Sequence, residues 1–367
     1  MTRILKLVPD TGGNVEDAGG QQRPAPTIVD RKKITTEAGG VLAEGGLCVF
    51  PTETVYGLGA NRDMPAAVER LSAVKKRSAG KPYSLMLPDA EDVDKYVPHI
   101  SLIARKVMNR FWPGPLTIVF ADDDEAIGVR VPASNTARDI LRAAGVPVLV
   151  TSANVSDRPA SVSGEEAAAA LDGLVDVIVD EGTTPMREAS TVVRFSEGRW
   201  EILREGLISE DMIAKAARVT LLFVCTGNSC RSPLAEAICR KLLAEMIDCN
   251  EDYLDNLGYT VLSAGTEAVP GMGASEHALS VAKEFGMSLA EHTTRPLTKR
   301  LIAQADRIYV MESQHLKAVE AMGGADKTVR IHGNEDVPDP AGGGIEEFQS
   351  CAEDLEQHIA EQLDKLL

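Results

Sequence analysis

Three hundred sixty-seven residues suggest two to three domains at about 150 residues each, and a content of 44% hydrophobic and 25% charged residues excludes a wholly disordered, collagenous or membrane-embedded chain. A formal charge of −17, from 38 Lys and Arg against 55 Asp and Glu, argues against a surface built to grip a nucleic-acid backbone, because that affinity rests on clustered cations. No stretch approaches the roughly 18 apolar residues of a membrane span, and the opening MTRILKLVPD has too short an apolar part for a secretion signal, so a cytoplasmic protein with no membrane partner is expected.

In chain order, residues 1–27 include TGGNVEDAGGQQRPAPT, rich in Gly, Pro and polar groups without periodicity, and read as a disordered tail. From Ile28 short β-type runs (GGLCVFPT, PLTIVF, GVPVLVTSA, VDVIVDEG, STVVRF) alternate with helical stretches such as Met64 to Lys76 and Ser101 to Phe111. This predicts an α/β domain over 28–217. Within it, small hydroxyls and isolated cations end strands. Lys75 and Arg77 both reach a polyphosphate if the chain is extended there, and Ser152 with Asn154 follow VPVLV at a strand terminus, where open α/β sheets bind ligands. Singly, KKR fits dipole compensation at a helix end and SAN fits a turn; their joint order carries the signal.

A second α/β unit is expected over 218–367. VTLLFVC (Val219–Cys225) leads into a Gly-containing loop and a helix from Ser232, and GYTVLSAG, ADRIYVM and TVRIHG follow, each with a helix after it, the last from Ile345 to Leu367. Four strands each followed by a helix predict a doubly wound four-stranded parallel sheet. VCTGNSCRSP places Cys225 at the end of a buried strand and Arg231 six residues on, in a loop that opens a helix. A tetrahedral oxyanion there would meet loop N–H groups from Thr226 to Ser232, the positive helix end and the Arg231 guanidinium. The same field is expected to lower the Cys225 pKa into the range of roughly 3.5–7.5 seen for such thiols, giving a nucleophilic thiolate at neutral pH. Ser232 and Pro233 read as an N-cap and first-turn pair, while Gly227 and Asn228 suit left-handed backbone that turns amides inward. A thiolate displacing phosphate needs a proton donor at the leaving atom. Asp339, in NEDVPDPAGGG, is the candidate, with Glu335 and Asp336 as rivals. The six cysteines show neither disulfide nor zinc spacing, and scattered histidines, His99 and His358 among them, read as surface residues, so no metal is expected beyond Mg2+ brought by a substrate.

LLFVCTGNSCRSPLAEAI, LSAGT, HTTRPLT, ADRIYVM and VPDP, in that order over 219–367, resemble the low-molecular-weight protein-tyrosine-phosphatase family. The resemblance implies a phosphoprotein substrate, Cys225 as the nucleophile that becomes a phosphocysteine, Arg231 as the phosphate clamp and Asp339 as the general acid. Thr226, Gly227, Asn228, Ser229, Cys230 and Ser232 would form the phosphate loop, with Asn228 and Ser232 ordering it and the thiolate, and Cys230 would match the member that traps the nucleophile as a reversible disulfide. Ala341 to Gly344 stand where phosphotyrosine enzymes tend to carry aromatics. Ser229 stands where those enzymes are usually aliphatic and arginine phosphatases carry a small hydroxyl, which leans toward phosphoarginine. Arsenate reductases of this fold relay a disulfide through further cysteines, and none lies between Cys249 and Cys351.

Upstream, PTETVYGLG, WPGPLT, the K-x-R at 75–77 and the S-x-N at 152–154 resemble the YrdC-like threonylcarbamoyl-AMP synthase family over about 28–210. The resemblance implies a twisted mixed sheet with helices, and condensation of L-threonine, bicarbonate and ATP with Mg2+ into threonylcarbamoyl-AMP and pyrophosphate, the first step toward t6A. The tRNA would be met only through a downstream transferase. Thr52, Arg130 and Ser190 would hold threonine; Lys75, Arg77, Ser152, Asn154 and Arg204 would hold the nucleotide phosphates; no covalent catalyst is implied. Met86 stands where many members have His. The competing reading is a module that binds nucleotide or tRNA without forming the adenylate.

Overall fold

The computed structural model describes residues 1–7, 15–16, 22–23, 28–76, 83–121, 126–156, 158–196 and 198–367. The chain divides into two compact units, one made for the most part of residues up to Ile213 and the other of Ala214–Leu367 with two short upstream stretches. Among the described residues, no helix is long and apolar enough to cross a membrane.

The first unit is built on one ten-stranded sheet. Its strands are β1 (Arg3–Lys6), β4 (Cys48–Pro51), β5 (Tyr56–Asn61), β6 (Ser84–Met86), β7 (Leu116–Ala121), β8 (Ala126–Arg130), β9 (Val148–Ser152), β10 (Val177–Asp180), β11 (Thr191–Ser196) and β12 (Arg199–Arg204), while β2 (Val15–Glu16) and β3 (Gln22–Arg23) form a separate antiparallel pair. The spatial order is β1-β10-β4-β5-β9-β6-β8-β7-β11-β12. Neighbours are antiparallel at β4/β5, β5/β9, β6/β9 and β7/β8 and parallel at β1/β10, β10/β4, β6/β8 and β7/β11, so the sheet is mixed, as expected. Central strands β4 and β5 are buried along their whole length, which is why CVFP and YGLGAN show no apolar-polar alternation.

Helices cover both faces. α1 (Ile28–Ala43) and α4 (Asn135–Ala144) bury Ala38, Leu42, Ile140 and Leu141 against Phe50 and Val148, while α2 (Pro65–Lys75) and α5 (Gly164–Leu171) bury Ala67, Leu71, Ala167 and Leu171 against Val49, Leu58 and Ile178. Gly39 lets α1 approach α4, since a Cβ there would lie 2.6 Å from the Ala143 Cβ. α3 (Leu102–Phe111) and α6 (Glu210–Ala216) complete the helices before the second unit. One expectation is corrected at the N-terminus. Arg3–Lys6 is not part of a disordered tail but an edge strand paired in parallel with β10, from Arg3 opposite Val177 to Lys6 opposite Asp180. The apolar residues of RILKL do the work: Leu7 is buried and Leu5 packs on the same core. The Gly- and polar-rich text that follows masks this short signal, and most of residues 8–27 lies outside the described residues.

The second unit has the expected all-parallel sheet of β13 (Val219–Cys225), β14 (Tyr259–Gly265), β15 (Arg307–Val310) and β16 (Thr328–Arg330), in the order β14-β13-β15-β16. α7 (Arg231–Met246), α8 (Glu276–Glu284) and α11 (Ile345–Asp364) pack together, and Ile302 of α9 (Lys299–Gln304) and Val319 of α10 (Ser313–Ala321) meet Leu222, Val224, Ile308 and Val310 in a separate core. α11 buries Phe348, Cys351, Ala352, Leu355, Ile359 and Leu363, one stripe at helical spacing. The connections reverse direction between β13 and β15, so a ligand cleft is expected at the carboxyl ends of these two strands.

Candidate functional sites

Cys225 stands at that carboxyl end, 3% exposed. Its Sγ lies 2.9 Å from Ser232 Oγ and accepts the Asn228 N–H at 3.2 Å. Asn228 holds the loop in the left-handed region at φ 56°. Its Nδ2 donates to Ser232 Oγ (3.0 Å) and Ser263 Oγ (2.8 Å), its Oδ1 accepts the Arg295 N–H (2.8 Å), and its carbonyl accepts from His292 Nε2 (2.8 Å). Gly227, by contrast, is not left-handed. The glycine the loop needs is Gly265 on β14, where a Cβ would sit 2.4 Å from the Thr226 carbonyl and 2.9 Å from the Asn228 nitrogen. Ser232 is not the N-cap either: α7 begins at Arg231 with Cys230 as its cap, and Ser232 sits in the first turn. Its hydroxyl is drawn to the thiol and the Asn228 amide.

Arg231 is 2% exposed and joins three elements. Nη1 donates to Glu312 Oε1 (2.5 Å) and to the Val337 carbonyl (2.9 Å), and Nη2 to Asp339 Oδ2 (2.6 Å). The predicted clamp and acid thus meet. Asp339 Oδ1 accepts the Ala341 N–H at 3.1 Å, the turn that presents it. Its rival Asp336 is committed elsewhere, accepting from the Ser313 N–H (2.8 Å) and Arg330 Nη1 (3.1 Å); the Ser313 amide holds that carboxyl below its ordinary range. Glu335 is exposed, with its amide on the His332 carbonyl. Ser229 and Ser275 flank the Cys230 thiol, whose Sγ lies 3.6 Å and 3.3 Å from their hydroxyls.

The thiol does not behave as expected. Burial pushes the Cys225 pKa up, against the Ser232 and Asn228 hydrogen bonds and the Arg231 charge, which pull it down. The sulfur is enclosed, 3% exposed, and the loss of solvation outweighs the donors and the charge around it. His315, unforeseen in the sequence, is buried behind the loop. Its Nδ1 accepts the Glu312 N–H (3.1 Å), so Nε2 carries the hydrogen and donates to Thr226 Oγ1 (2.9 Å). Burial lowers its pKa, which keeps the ring neutral.

In the first unit a cavity of about 340 Å3 is lined by Thr52, Met86, Thr117, Arg130, Ser152, Ser190 and Arg204, with no carboxylate among the described residues of its wall. Five of the eight residues predicted from sequence therefore share one cleft. Arg130, which ends β8, donates to Glu53 Oε1 (2.6 Å), Thr54 Oγ1 (2.9 Å) and the Gly114 carbonyl (3.3 Å). Glu53 Oε2 also accepts the N–H groups of Ala133 and Ser134, at the start of α4. Arg204 donates to the Ser190 carbonyl (2.7 Å) and hydroxyl (3.1 Å), and Ser190 Oγ lies 2.9 Å from Thr117 Oγ1. Burial, together with the nearby Arg130 charge, holds the Arg204 guanidinium below its usual pKa. Thr52 Oγ1 gathers the turn by donating to the Val55 carbonyl (2.6 Å) and accepting the Thr54 amide (3.2 Å).

Lys75 and Asn154 are placed together but are not on the cavity wall. Lys75 ends α2 and Lys76 turns left-handed, so residues 75 and 76 do not meet the condition of extended backbone attached to a shared reach of Lys75 and Arg77. The Lys75 Nζ donates at 2.7 Å to the Ser152 carbonyl, the Asn154 carbonyl and Asn154 Oδ1. Its charge therefore fixes the loop that carries Ser152 and Asn154. Arg77 lies outside the described residues. Sequence reasoning also missed Glu53, the partner of Arg130; the acid inside PTETVYG was the available signal. His99 is exposed, whereas His358, expected at the surface, is half-buried beside His332 and Asp354.

Residues 40–206 match the Sua5/YciO/YrdC family model, described as telomere recombination, and residues 220–367 match that of the low molecular weight phosphotyrosine protein phosphatases. The threonylcarbamoyl-AMP synthase of Pyrococcus abyssi is 34% identical over 188 residues, 48% of this chain and 55% of that protein; the chain thus spans little more than half its length. A Mycobacterium leprae relative is 33% identical over 199 residues, 52% of this chain and 90% of its own. Among solved structures, P. abyssi Sua5 complexed with L-threonine is 22% identical with a TM-score of 0.51, covering 72% of this chain and 92% of that one. The YwlE arginine phosphatase from Geobacillus stearothermophilus is 34% identical with a TM-score of 0.34, covering 40% and 93%. The chain therefore belongs to the Sua5/YrdC family through residues 40–206 and carries, over residues 220–367, a domain of the low molecular weight phosphotyrosine protein phosphatase type.

Proposed function

We propose that the chain carries two activities: formation of threonylcarbamoyl-AMP from L-threonine, bicarbonate and Mg2+-bound ATP, and hydrolysis of phosphorylated protein side chains through a phosphocysteine. The first rests on two guanidinium groups, Arg130 and Arg204, converging with the hydroxyls of Thr52, Thr117 and Ser190 on one cavity. Positive charge with no carboxylate among the described wall residues suits an anionic substrate that brings its own Mg2+. The carbamate oxygen of carboxylated threonine attacks the α-phosphorus, the P–O bond to pyrophosphate breaks, and the protein supplies alignment and charge rather than a nucleophile. Thr52, Arg130 and Ser190 take the threonine end and Ser152 and Arg204 the phosphates, with Lys75 acting through the loop it holds. Any tRNA would meet the product only at a separate transferase. Pyrophosphate release that requires both threonine and bicarbonate tests this; ATP binding without release would favour a nucleotide- or tRNA-binding module.

The second activity is supported by Cys225, held by the Ser232 hydroxyl and the Asn228 amide at one end of the loop, and by Arg231, which ends the same loop and donates to Asp339. The sulfur attacks phosphorus, the bond to the leaving oxygen or nitrogen breaks, and Asp339 gives that atom its proton. Water then attacks the phosphorus of the phosphocysteine, Asp339 taking its proton, the S–P bond breaks to return the Cys225 thiolate, and phosphate leaves. A phosphate that engages Arg231 must displace carboxylate from it, which frees Asp339 for this work. Phosphoarginine is the preferred substrate in this reading, because Ala341 to Gly344 offer no aromatic wall for a phenyl ring and Ser229 offers a hydroxyl acceptor to a guanidinium. Faster turnover of phosphotyrosine than of phosphoarginine peptides would overturn that preference. Cys225→Ser should abolish phosphate release and spare pyrophosphate release; loss of neither would remove the phosphatase assignment.

A further inference from the structure

His332 follows β16, and Asp354 and His358 stand one turn apart on the same face of α11. Nε2 of His332 lies 3.3 Å from Asp354 Oδ1, Nδ1 of His358 lies 3.5 Å from the same oxygen, and the two imidazoles meet edge to face with centroids 4.0 Å apart. One ligand atom from each of the three lies within 4.8 Å of the others. The cluster shares no residue with the loop around Cys225 or with the upstream cavity.

Two features separate it from an ordinary ion pair. Nδ1 of His332 and Oδ2 of Asp354 are buried atoms without a hydrogen-bond partner among the described residues, a condition native folds rarely leave unless something else satisfies it. In addition, His358 Nδ1 faces the Asp354 carbonyl at 2.8 Å. A carbonyl only accepts, so Nδ1 carries the hydrogen and Nε2 of the neutral ring keeps its lone pair. Anchoring one ring nitrogen on a carbonyl is how metal-ligating histidines are commonly oriented.

We propose that His332, Asp354 and His358 bind one divalent transition-metal ion of the zinc class. Two imidazoles and one carboxylate suit Zn2+, Co2+ or Ni2+ and not the all-oxygen preference of Mg2+ or Ca2+, so this ion is distinct from any metal carried by ATP. Metal–nitrogen bonds of about 2.0–2.1 Å place tetrahedral ligand atoms about 3.3 Å apart, which is the separation of His332 Nε2 from Asp354 Oδ1, and a ligand atom of His358 lies within 4.8 Å of both residues. The ion would tie the segment leading from β16 toward Asp339 to the terminal helix, stabilising the folded chain by mass action.

The full chain, stripped with chelator and dialysed against Zn2+, tests this. Metal analysis should find one ion per chain that survives in the Cys225→Ser/Cys230→Ser variant, and the Co2+-loaded protein should lack the near-ultraviolet band of thiolate ligation. His332→Gln, His358→Gln and Asp354→Asn should each weaken Zn2+ binding, read by competition with a chromophoric chelator, by at least about tenfold. Circular dichroism confirms that each variant is folded, and the near-isosteric Asp354→Asn serves if a histidine change lowers stability. No binding at micromolar Zn2+, binding lost with the two cysteines, or binding unchanged by all three substitutions would overturn the site.

Discussion

Glu53→Ala is the sharpest test of how the upstream cleft is held. Its carboxylate accepts from Arg130 Nη2 at 2.6 Å and from the amides of Ala133 and Ser134 at 3.0 and 3.2 Å, and both charged side chains are only 7% exposed. Removing one partner strands a buried guanidinium near the like charge of Arg204 and orphans two amides. Breaking a buried pair in this way costs about 3–5 kcal/mol. At about 2–4 °C per kcal/mol for a unit of this size, the unfolding midpoint should fall by about 6–20 °C. Both tryptophans of the chain, Trp112 and Trp200, belong to the first unit, so their fluorescence reports its melting without interference from the second. Glu53→Ala/Arg130→Met should fall less than Glu53→Ala, because no unpaired charge remains. A drop under about 3 °C, equivalent to about 1 kcal/mol or less, or a double variant whose loss is the sum of two large single losses, would refute the argument.

The remaining predictions concern the thiol and the two loops. Because burial raises the Cys225 pKa, the thiolate is scarce at low pH, and kcat/KM for phosphate release should climb as pH rises toward and through that pKa; Ser232→Ala, which removes the strongest opposing hydrogen bond, should move the rising limb to higher pH, and a limb that stays or moves down would contradict the assignment. The same sign applies to stability: a folded-state pKa raised above the unfolded one contributes stability below the unfolded value that is lost as pH climbs through the folded value, so Cys225→Ser should flatten the alkaline fall in melting temperature. Lys75→Met should lower both the tryptophan-monitored midpoint and pyrophosphate release; a raised KM for ATP at an unchanged midpoint would mean that the amine serves the phosphates directly. Gly265→Ala forces the Thr226 carbonyl away from a Cβ 2.4 Å distant, and a displacement of about 1 Å should cost phosphatase turnover about 10²-fold with pyrophosphate release intact.

What could be read from the sequence was local, and what could not was long-range. Cys225, Arg231 and the loop between them are contiguous, so strand, loop and helix start specify one another, and the all-parallel order follows from the repeated strand-helix rhythm. Asp339 was accessible because a DP turn advertises its own geometry, and the hydrogen bond to the Ala341 amide bears out the turn. Glu312 and His315 carry no such mark. They act on the loop only because β15 pairs beside β13 and delivers the start of α10 to Arg231 and Thr226 across more than eighty residues. The error about the thiol has the same origin. A loop rich in donors implies a low pKa when considered alone, but the fold encloses the sulfur, and burial pushes the pKa up through packing that spacing along the chain does not reveal.

The upstream cleft makes the complementary point about cations. Lys75 and Arg130 look interchangeable in sequence, each a positive residue at the end of an element. The fold gives them opposite duties. Lys75 directs its ammonium to two carbonyls and an amide oxygen behind the cavity, whereas Arg130 faces the cavity and depends on Glu53 to remain there. A compact ammonium satisfies convergent acceptors, and a planar fork can bind a partner on one edge and offer another to a ligand. Exchanging the two residue types should therefore fail at both positions. Lys75→Arg puts a planar fork where an ammonium meets the Ser152 carbonyl, the Asn154 carbonyl and Asn154 Oδ1, and Arg130→Lys gives up the Nε donor to the Gly114 carbonyl that accompanies the Nη2 bonds to Glu53 and Thr54, so each should lower the melting midpoint of the first unit even though the charge is conserved; an unchanged midpoint in either variant would show that charge alone is required.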